Sequence, residues 1–435
     1  MVDETNVLLI AIDTLRADHI SCYGYEKETT PHIDEVAKEG VLFETCIAPG
    51  IPTHPGYTTM MTGVHPLTHE IVCHAGRVTL STNIKMLPEL LRSKGYITAA
   101  VDNLALGAPW LLRGYDYYFY SGGITVISKG IKVTGHVVTE KALTFLKMWK
   151  QRAFGNKPFF LFVHYWDPHT PYLPPPELIE KFYDGRGVAL KPLLEQTKWG
   201  KHILKHWLHK LIEEGYDDKN YIDASYDAEI YYADMNVLRL IEFLKDANEY
   251  DNTLVIITSD HGEGLGENQV YYDHHGLYEW DVRIPLIMRL PGKLPEGKKV
   301  KGIVTHEDIV PTVLDLVGIE SMPSFDGKSL IPLVEGFEKG KEFVVCIENT
   351  RMTKRAIRTR EWKLIQTLRP DIYGNPAGHI ELYKLKTGED ENLAPENPDL
   401  AKDLLFTMET WYRAKLKGRA DPLMVQDISL PLSDD

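Results

Sequence analysis

The sequence predicts an α/β fold: a doubly wound, mostly parallel central sheet flanked by helices, with a smaller C-terminal α+β subdomain. Three observations carry this expectation. Short uninterrupted apolar runs at residues 7–12, 158–164 and 253–258 have the length and composition of strands buried on both faces. Segments with helical patterning alternate with them. The polar residues at the ends of these runs, Asp13, His164 and Asp260, fall at strand C-termini, the edge where open α/β sheets place their sites.

The elements follow in order. Residues 7–12 form the first strand and stop at Asp13. Residues 31–40 read as a short helix, with proline at its start and Gly40 as its stop. Residues 42–48 read as a strand, and a helical segment begins near Thr58. Residues 84–94 are amphipathic and precede Gly95 and a strand at 96–101. The runs 158–164 and 253–258 are the second and third strongly apolar strands, separated by a long helix at 226–247. Residues 283–289 are expected to be a fourth such strand. The Pro-, Gly- and charge-rich stretch 321–339 reads as a surface connection. Short β-like runs at 342–347 and 362–366 and a polar helix at 398–417 then make a small subdomain. The expected division is a catalytic-size α/β domain over 1–340 and a C-terminal subdomain over 341–435.

The net charge of −14 argues against a nucleic-acid or general polyanion surface, while leaving room for a small local anion site. Cys22, Cys46, Cys73 and Cys346 form no CxxC pair, so reduced thiols are expected rather than a disulfide framework or zinc ribbon. The first apolar run is too short to span a membrane, and it lacks a basic n-region and cleavage site. A cytoplasmic protein with no membrane partner is expected, its oligomeric state left open.

Four features could carry chemistry. Asp13 is either a turn former or a ligand. Asp260-His261-Gly262-Glu263 puts a carboxylate and an imidazole side by side, within reach of one metal ion. In Pro52-Thr53-His54-Pro55-Gly56, Thr53 stands near a helix N-terminus, where orphan N–H groups favour an anion. It is either a cap or a nucleophile. His169, in His164-Tyr-Trp-Asp-Pro-His-Thr-Pro-Tyr172, and the pair His274-His275 could bind ester oxygens or protonate a leaving group.

Taken together these motifs resemble the sulfatase family of the alkaline phosphatase superfamily. The resemblance rests on Ile12-Asp-Thr-Leu-Arg-Ala-Asp18 with Cys22-Tyr-Gly24, Thr30-Pro-His-Ile-Asp34, and Thr62-Gly63 followed by His65-Pro66. It continues through Asp167-Pro-His-Thr-Pro-Tyr172, Tyr226-Asp-Ala-Glu-Ile230, Asn252 to Glu263, Gly276-Leu-Tyr-Glu279 with Arg283-Ile-Pro-Leu286, and Glu381-Leu-Tyr-Lys-Leu385 with Glu391-Asn-Leu393. The motifs cover nearly the whole chain in the family's order. The resemblance implies hydrolysis of a small-molecule anionic ester of sulfate, phosphate or phosphonate through a covalent intermediate. It also implies a divalent metal bound by Asp13, Asp260 and His261 with Thr53 bridging to it. His169 and one of His274 and His275 would contact the ester or leaving group.

The departures from the family pattern sharpen the expectation. The family's nucleophile pattern Cys-x-Pro-x-Arg reads Thr53-His-Pro-Gly-Tyr57 here. Threonine cannot become formylglycine, because its β-carbon carries a methyl group. Tyr57 stands in place of the arginine, as a candidate substrate contact. The same stretch is similar to the threonine-nucleophile run of nucleotide pyrophosphatase/phosphodiesterases. A family lysine–histidine region aligns with Asp102-Asn-Leu-Ala105, leaving Asn103 as a substrate hydrogen-bonding group. Asp13-Thr14 and Asp260-His261 supply fewer hard oxygens than the calcium-binding members, which favours one Zn²⁺ or Mn²⁺ over Ca²⁺. A second metal is left open, on His164, Asp167 and His169 or on Asp273, His274 and His275. The preferred activity is that of a phosphodiesterase or phosphonate monoester hydrolase. A sulfuric ester hydrolase is second, and a non-catalytic metal- or anion-binding protein third. Residues 109–130 and 173–222 are expected to line the pocket.

Overall fold

The structure, a computed structural model, describes residues 5–122, 134–320 and 324–428. The pocket expectation for residues 123–130 and the start of the 321–339 connection lie outside those residues. Among the described residues fourteen strands form two sheets. They are β1 (Asn6–Ile12), β2 (Val41–Ile47), β3 (Gly50–Ile51), β4 (Ile97–Asp102), β5 (Tyr117–Tyr120), β6 (Phe159–Tyr165) and β7 (Thr253–Thr258), then β8 (Arg283–Ile284), β9 (Leu286–Arg289), β10 (Lys298–Thr305), β11 (Phe343–Asn349), β12 (Thr353–Thr359), β13 (Trp362–Thr367) and β14 (Ile380–Lys384). The main sheet runs β10-β2-β9-β7-β1-β6-β4-β5, with β8 also on β2.

β1 lies between β6 and β7 and is parallel to both, and β4 continues the parallel set on β6. Its continuous apolar sequence has a direct physical reason. Val7, Leu9 and Ala11 pack into one core, and Leu8, Ile10 and Ile12 into the other. A strand with helices on both faces has no solvated side for polar residues. Helices Pro31–Lys38, Gly135–Lys150 and Lys219–Asp246 cover one face. Thr53–Thr62, Leu87–Ser93 and Ile309–Leu316 cover the other.

Three expectations change in detail. The run 283–289 is two strands, because Pro285 has no N–H to donate and breaks the ladder. β9 is then antiparallel to both β7 and β2, so the sheet is mixed. The helix expected to begin near Thr58 begins at Thr53. The long helix begins at Lys219, where the Asp218 carboxylate accepts the Asn220 N–H at 3.0 Å as an N-cap.

The second sheet runs β14-β13-β12-β11-β3. Val345, Ile347, Ile357 and Leu364 face helix Pro398–Leu416 through Met408 and Tyr412, while Val344, Cys346, Ala356 and Ile365 join the main core. Its edge is β3, two residues of the N-terminal half that pair in parallel with β11 and lead straight into Thr53. All four cysteines are free. No helix among the described residues is long and apolar enough to cross a membrane.

Two buried histidines fix the turn after the helix Thr53–Thr62, His65 to the second sheet and His69 to the helix itself. His65 Nδ1 accepts the Leu67 N–H at 3.1 Å, and its Nε2–H donates to Val345 O at 3.0 Å. His69 Nδ1 accepts the Ile71 N–H at 3.0 Å, and its Nε2 lies 3.0 Å from Thr59 Oγ1. Burial pushes the pKa of each down to about 3. Below the unfolded value of about 6.5, the unfolded chain takes up protons that these residues refuse in the folded state. Stability therefore falls as pH drops from that value toward 3, by about 1.4 kcal/mol per histidine per pH unit. In denaturant unfolding, these two residues should contribute on the order of 3 kcal/mol to the stability lost between pH 6.5 and 5.0. His69→Gln should reduce the stability lost between those pH values by about 1.6 kcal/mol; a loss unchanged in that variant would rule out the contribution of His69.

Candidate active site

Four elements meet at the C-terminal edge of the parallel strands. The loop after β1 supplies Asp13, and β4 ends on Asp102. His164 lies near the end of β6, and the loop after β7 supplies Asp260 and His261. Because β1, β4, β6 and β7 share a direction, these side chains converge. The two loops are latched together. Thr14 N–H donates to Asp260 Oδ1 at 3.3 Å, and Leu15 N–H to Ser259 Oγ at 3.0 Å. Thr14 takes φ 57°, a left-handed conformation costly for a β-branched residue. The Tyr226 hydroxyl donates to its carbonyl at 2.8 Å and holds it there.

Asp13, Asp260 and His261 are fully buried, and each offers a ligand atom within 4.8 Å of the other two. Among the described residues this is the sole such group. His261 Nδ1–H donates to Gly262 O at 2.9 Å, which turns Nε2 toward the carboxylates. His261 Nε2 stands 3.2 Å from Asp260 Oδ2 without hydrogen-bond alignment, so the contact is an ion pair. Burial opposes a charge on His261, but the Asp260 carboxylate outweighs it and lifts the pKa to about 10, so a cation held here would displace the proton from Nε2. Asp13 Oδ1, Asp260 Oδ2 and both carboxyl oxygens of Glu263 and Asp281 are buried without hydrogen-bond partners. Burial pushes Glu263 up to about 8 and Asp281 well above its ordinary range. Two buried carboxylates converging with an imidazole nitrogen, with Asp13 Oδ1 and Asp260 Oδ2 lacking hydrogen bonds, fit a divalent cation.

Glycine makes this approach possible in two places. A Cβ on Gly262 would stand 1.8 Å from Trp280 O. Gly262 is not left-handed, so close packing rather than a tight turn demands it. A Cβ on Gly56 would stand 3.0 Å from Asp260 O, so the helix Thr53–Thr62 can lie directly against the Asp260 loop.

That helix places Thr53 at its first turn. The N-cap is Pro52, and no side chain caps the helix. Thr58, Thr59 and Thr62 donate their hydroxyls to carbonyls one turn back at 2.6 to 2.8 Å. Thr53 differs: its Oγ1 lies 3.4 Å from His261 Nε2, at the wall of a cavity of about 360 Å³. The helix-capping alternative for Thr53 therefore has no hydrogen bond behind it.

His169 and His274 both line this cavity, with ring centroids 5.3 Å apart, and the His274 ring lies 4.4 Å from that of His261. Burial lowers the pKa of both, to about 4 for His274. His169 Nδ1–H donates to Thr170 O at 2.7 Å, leaving Nε2 to exchange a proton. His275 points elsewhere. Its Nδ1 pairs with Asp273 at 3.1 Å and its Nε2 with the Tyr373 hydroxyl at 2.8 Å, and it does not line the cavity. Tyr57 is also absent from the cavity wall. Its ring is buried 4.8 Å from that of His164, because the residue lies on the core side of the helix. Asn103 does line the cavity, but its Oδ1 accepts Trp166 Nε1–H at 2.9 Å and its amide faces Gly122 O at 3.4 Å.

His164 bridges two carboxylates, donating from Nδ1 to Asp102 at 2.8 Å and from Nε2 to Asp13 at 3.1 Å. Burial works against its charge, but these two bonds win and the pKa rises to about 9. An imidazolium so placed has no lone pair for a second metal. Neither second-metal set expected from sequence gathers into a ligand group among the described residues.

Of the segments expected to line the pocket, Trp199 and Ile203 do so, and nothing from residues 109–122 does. The rest of the wall includes His54, His74, Leu104, Trp166 and Arg351. Arg351 donates to Asp273 Oδ2 at 3.1 Å and holds that carboxyl well below its usual range against the effect of burial. His54 was within reach of sequence reading, being adjacent to Thr53. Arg351 carries no local signal, because it arrives from the hairpin of the second sheet.

The model of the sulfatase family matches residues 5–319, and a model described as N-sulphoglucosamine sulphohydrolase, C-terminal, matches residues 266–397. The chain is 26% identical to an N-acetylglucosamine-6-O-sulfatase of Bacteroides thetaiotaomicron, over 88% of this chain and 80% of the relative. It shares its fold with a protein solved in complex with its substrate D-glucosamine-2-N,6-O-disulfate, with TM-score 0.77 and 21% identity over 96% of this chain and 99% of the other. It also shares its fold with a phosphonate monoester hydrolase of Agrobacterium radiobacter, with TM-score 0.76 and 20% identity over 95% of this chain and 96% of the other. With a family model covering most of its length and the same fold in both neighbours, the chain belongs to the sulfatase family of the alkaline phosphatase superfamily, a family of ester hydrolases.

Proposed function

We propose that this chain is a metal-dependent hydrolase that uses Thr53 as its nucleophile on singly charged esters, phosphodiesters and phosphonate monoesters ahead of sulfate esters. The observation that carries the reading is the position of Thr53 Oγ1. It is uncommitted to the helix, 3.4 Å from His261 Nε2, and beside the Asp13–Asp260–His261 group. Asp13, Asp260 and His261 would hold the cation, and two carboxylate oxygens with one nitrogen suit Zn²⁺ or Mn²⁺. Such an ion lowers the pKa of an adjacent hydroxyl and neutralises charge developing on the ester oxygens.

The remaining work falls to the protein. The helix N-terminus at Thr53 offers N–H groups without intrahelical acceptors to the anion. Thr53 Oγ gives up its proton to water and forms a bond to phosphorus as the bond to the leaving oxygen breaks. His169 and His274 are the cavity groups placed to supply that oxygen's proton, and an anionic substrate beside them raises their depressed pKa values. Water must then attack phosphorus to free Thr53, since threonine has no aldehyde route. A cavity whose described wall carries one arginine and no lysine suits one negative charge better than two. A sulfate monoester carries one charge as well, and the family match and the likeness to a protein named as a sulfatase favour it as the second reading.

A panel of 4-nitrophenyl sulfate, phosphate, phenyl phosphate diester and phenylphosphonate separates these readings. The diester or phosphonate should exceed the sulfate in kcat/KM by at least about tenfold, a difference of about 1.4 kcal/mol in transition-state binding. A sulfate cleaved faster than both would overturn the preference for phosphorus.

A further inference from the structure

We propose that the substrate carries a second anionic group, held outside the cavity by a cationic ladder running from Arg351 through Trp199 to His202, His206 and Lys205. The proposal rests on the ester-hydrolase reading of the cavity and extends it to substrate class.

The chain as a whole is acidic at −14, yet residues 198–210 contain four lysines, three histidines and no carboxylate. A charged helical stretch is ordinarily just a solvated face. Here its buried side forms part of the cavity wall through Trp199 and Ile203, while Lys201, Lys205 and His206 are exposed. Ring contacts then connect inside to outside. The Arg351 guanidinium lies over the Trp199 ring, 4.7 Å from its centroid. His202 stacks on the same indole at 5.1 Å, with planes 23° apart, and His206 lies 4.4 Å from His202. The indole is fixed by its N–H, which donates to Tyr271 O at 2.8 Å. Within the stretch, the π-helical turn Leu204–Leu208 keeps Trp207 and Leu208 buried.

Adjacent cation-capable groups disfavour one another's charge. The pKa of His202 is lowered by burial and then by His206, Arg351 and Lys205, with only Asp273 acting the other way. An anion placed among them removes that conflict. Asp273 serves Arg351 at the inner end of the ladder, and Lys205 and His206 are exposed at the outer end. A sulfate, phosphate or carboxylate on the alcohol portion of the ester meets the chemistry of that end. Substrates of this class are small polyanions whose reacting ester sits inside and whose second charge sits at the mouth.

Calorimetry with two uncleaved probes, phenylphosphonate and 4-carboxyphenylphosphonate, tests the ladder without relying on turnover. The carboxylated probe should bind about fivefold more tightly at low ionic strength, and the advantage should shrink in 0.5 M salt, where the screening length is on the order of 4 Å. In a Lys205→Ala/His206→Ala double variant the ratio should fall toward one. Equal binding of the two probes to the wild-type protein would overturn the proposal, and so would a ratio unchanged in the variant. The 4-nitrophenyl panel, run alongside, separates the two readings. A ratio that stands while no ester is cleaved supports the anion subsite and removes the hydrolase reading. Esters cleaved with a ratio of one do the reverse.

Discussion

Thr53→Ala is expected to lower kcat by at least about 10⁴-fold while leaving the fold intact. The magnitude is that of removing the reacting atom, since no neighbouring hydroxyl can take over. Thr58, Thr59 and Thr62 donate to backbone carbonyls along the helix and cannot reach the Asp13–Asp260–His261 group without breaking those bonds. The fold should survive because Thr53 caps nothing: Pro52 holds the N-cap position, and the Thr53 hydroxyl makes no bond to the helix. Alanine is well tolerated in a first helical turn. The thermal midpoint should therefore stay within a few degrees of wild type, on the order of a surface substitution. Thr53→Ser should keep a measurable fraction of activity, because it restores the oxygen. Turnover retained in Thr53→Ala at wild-type metal content would remove Thr53 from the mechanism.

Asp260→Asn is the second large effect. The amide preserves shape and removes one of two carboxylates from the Asp13–Asp260–His261 group. Elemental analysis should find about one Zn²⁺ or Mn²⁺ per wild-type chain and much less in the variant, with affinity weakened by on the order of 100-fold or more. Activity should fall with metal content, and added metal should restore it only in part, because the lost charge also sits 3.2 Å from the His261 ring. Calcium in the wild-type protein would overturn the donor-set argument. Wild-type protein without metal and without affinity for Zn²⁺ or Mn²⁺ would end the catalytic reading.

Much of this architecture is legible in the chain because the physics is local or periodic. Strands buried on both faces must be apolar throughout, which exposes β1, β6 and β7 in the sequence. Parallel strands share a polarity, so Asp13, His164 and Asp260, each at the end of such a run, can be expected at one edge before any coordinates exist. Pro285 marks the limit of pattern reading. The apolar run around it looks like one strand, and its missing N–H makes two.

What the sequence by itself determined, then, is the sheet, its functional edge, and the identity of the residues that could bind a metal or attack an ester. Only the tertiary structure decided between neighbours. His274 and His275 are adjacent and chemically alike, but Asp273 and Tyr373 occupy both nitrogens of His275 and leave His274 in the cavity. Tyr57 turns into the core, and Arg351 enters the site from the hairpin of another sheet. Pro52, not Thr53, holds the N-cap position of the helix. The physical reason is common to all of these. Side-chain direction is set by partners tens to hundreds of residues away in the chain, and no local pattern records them.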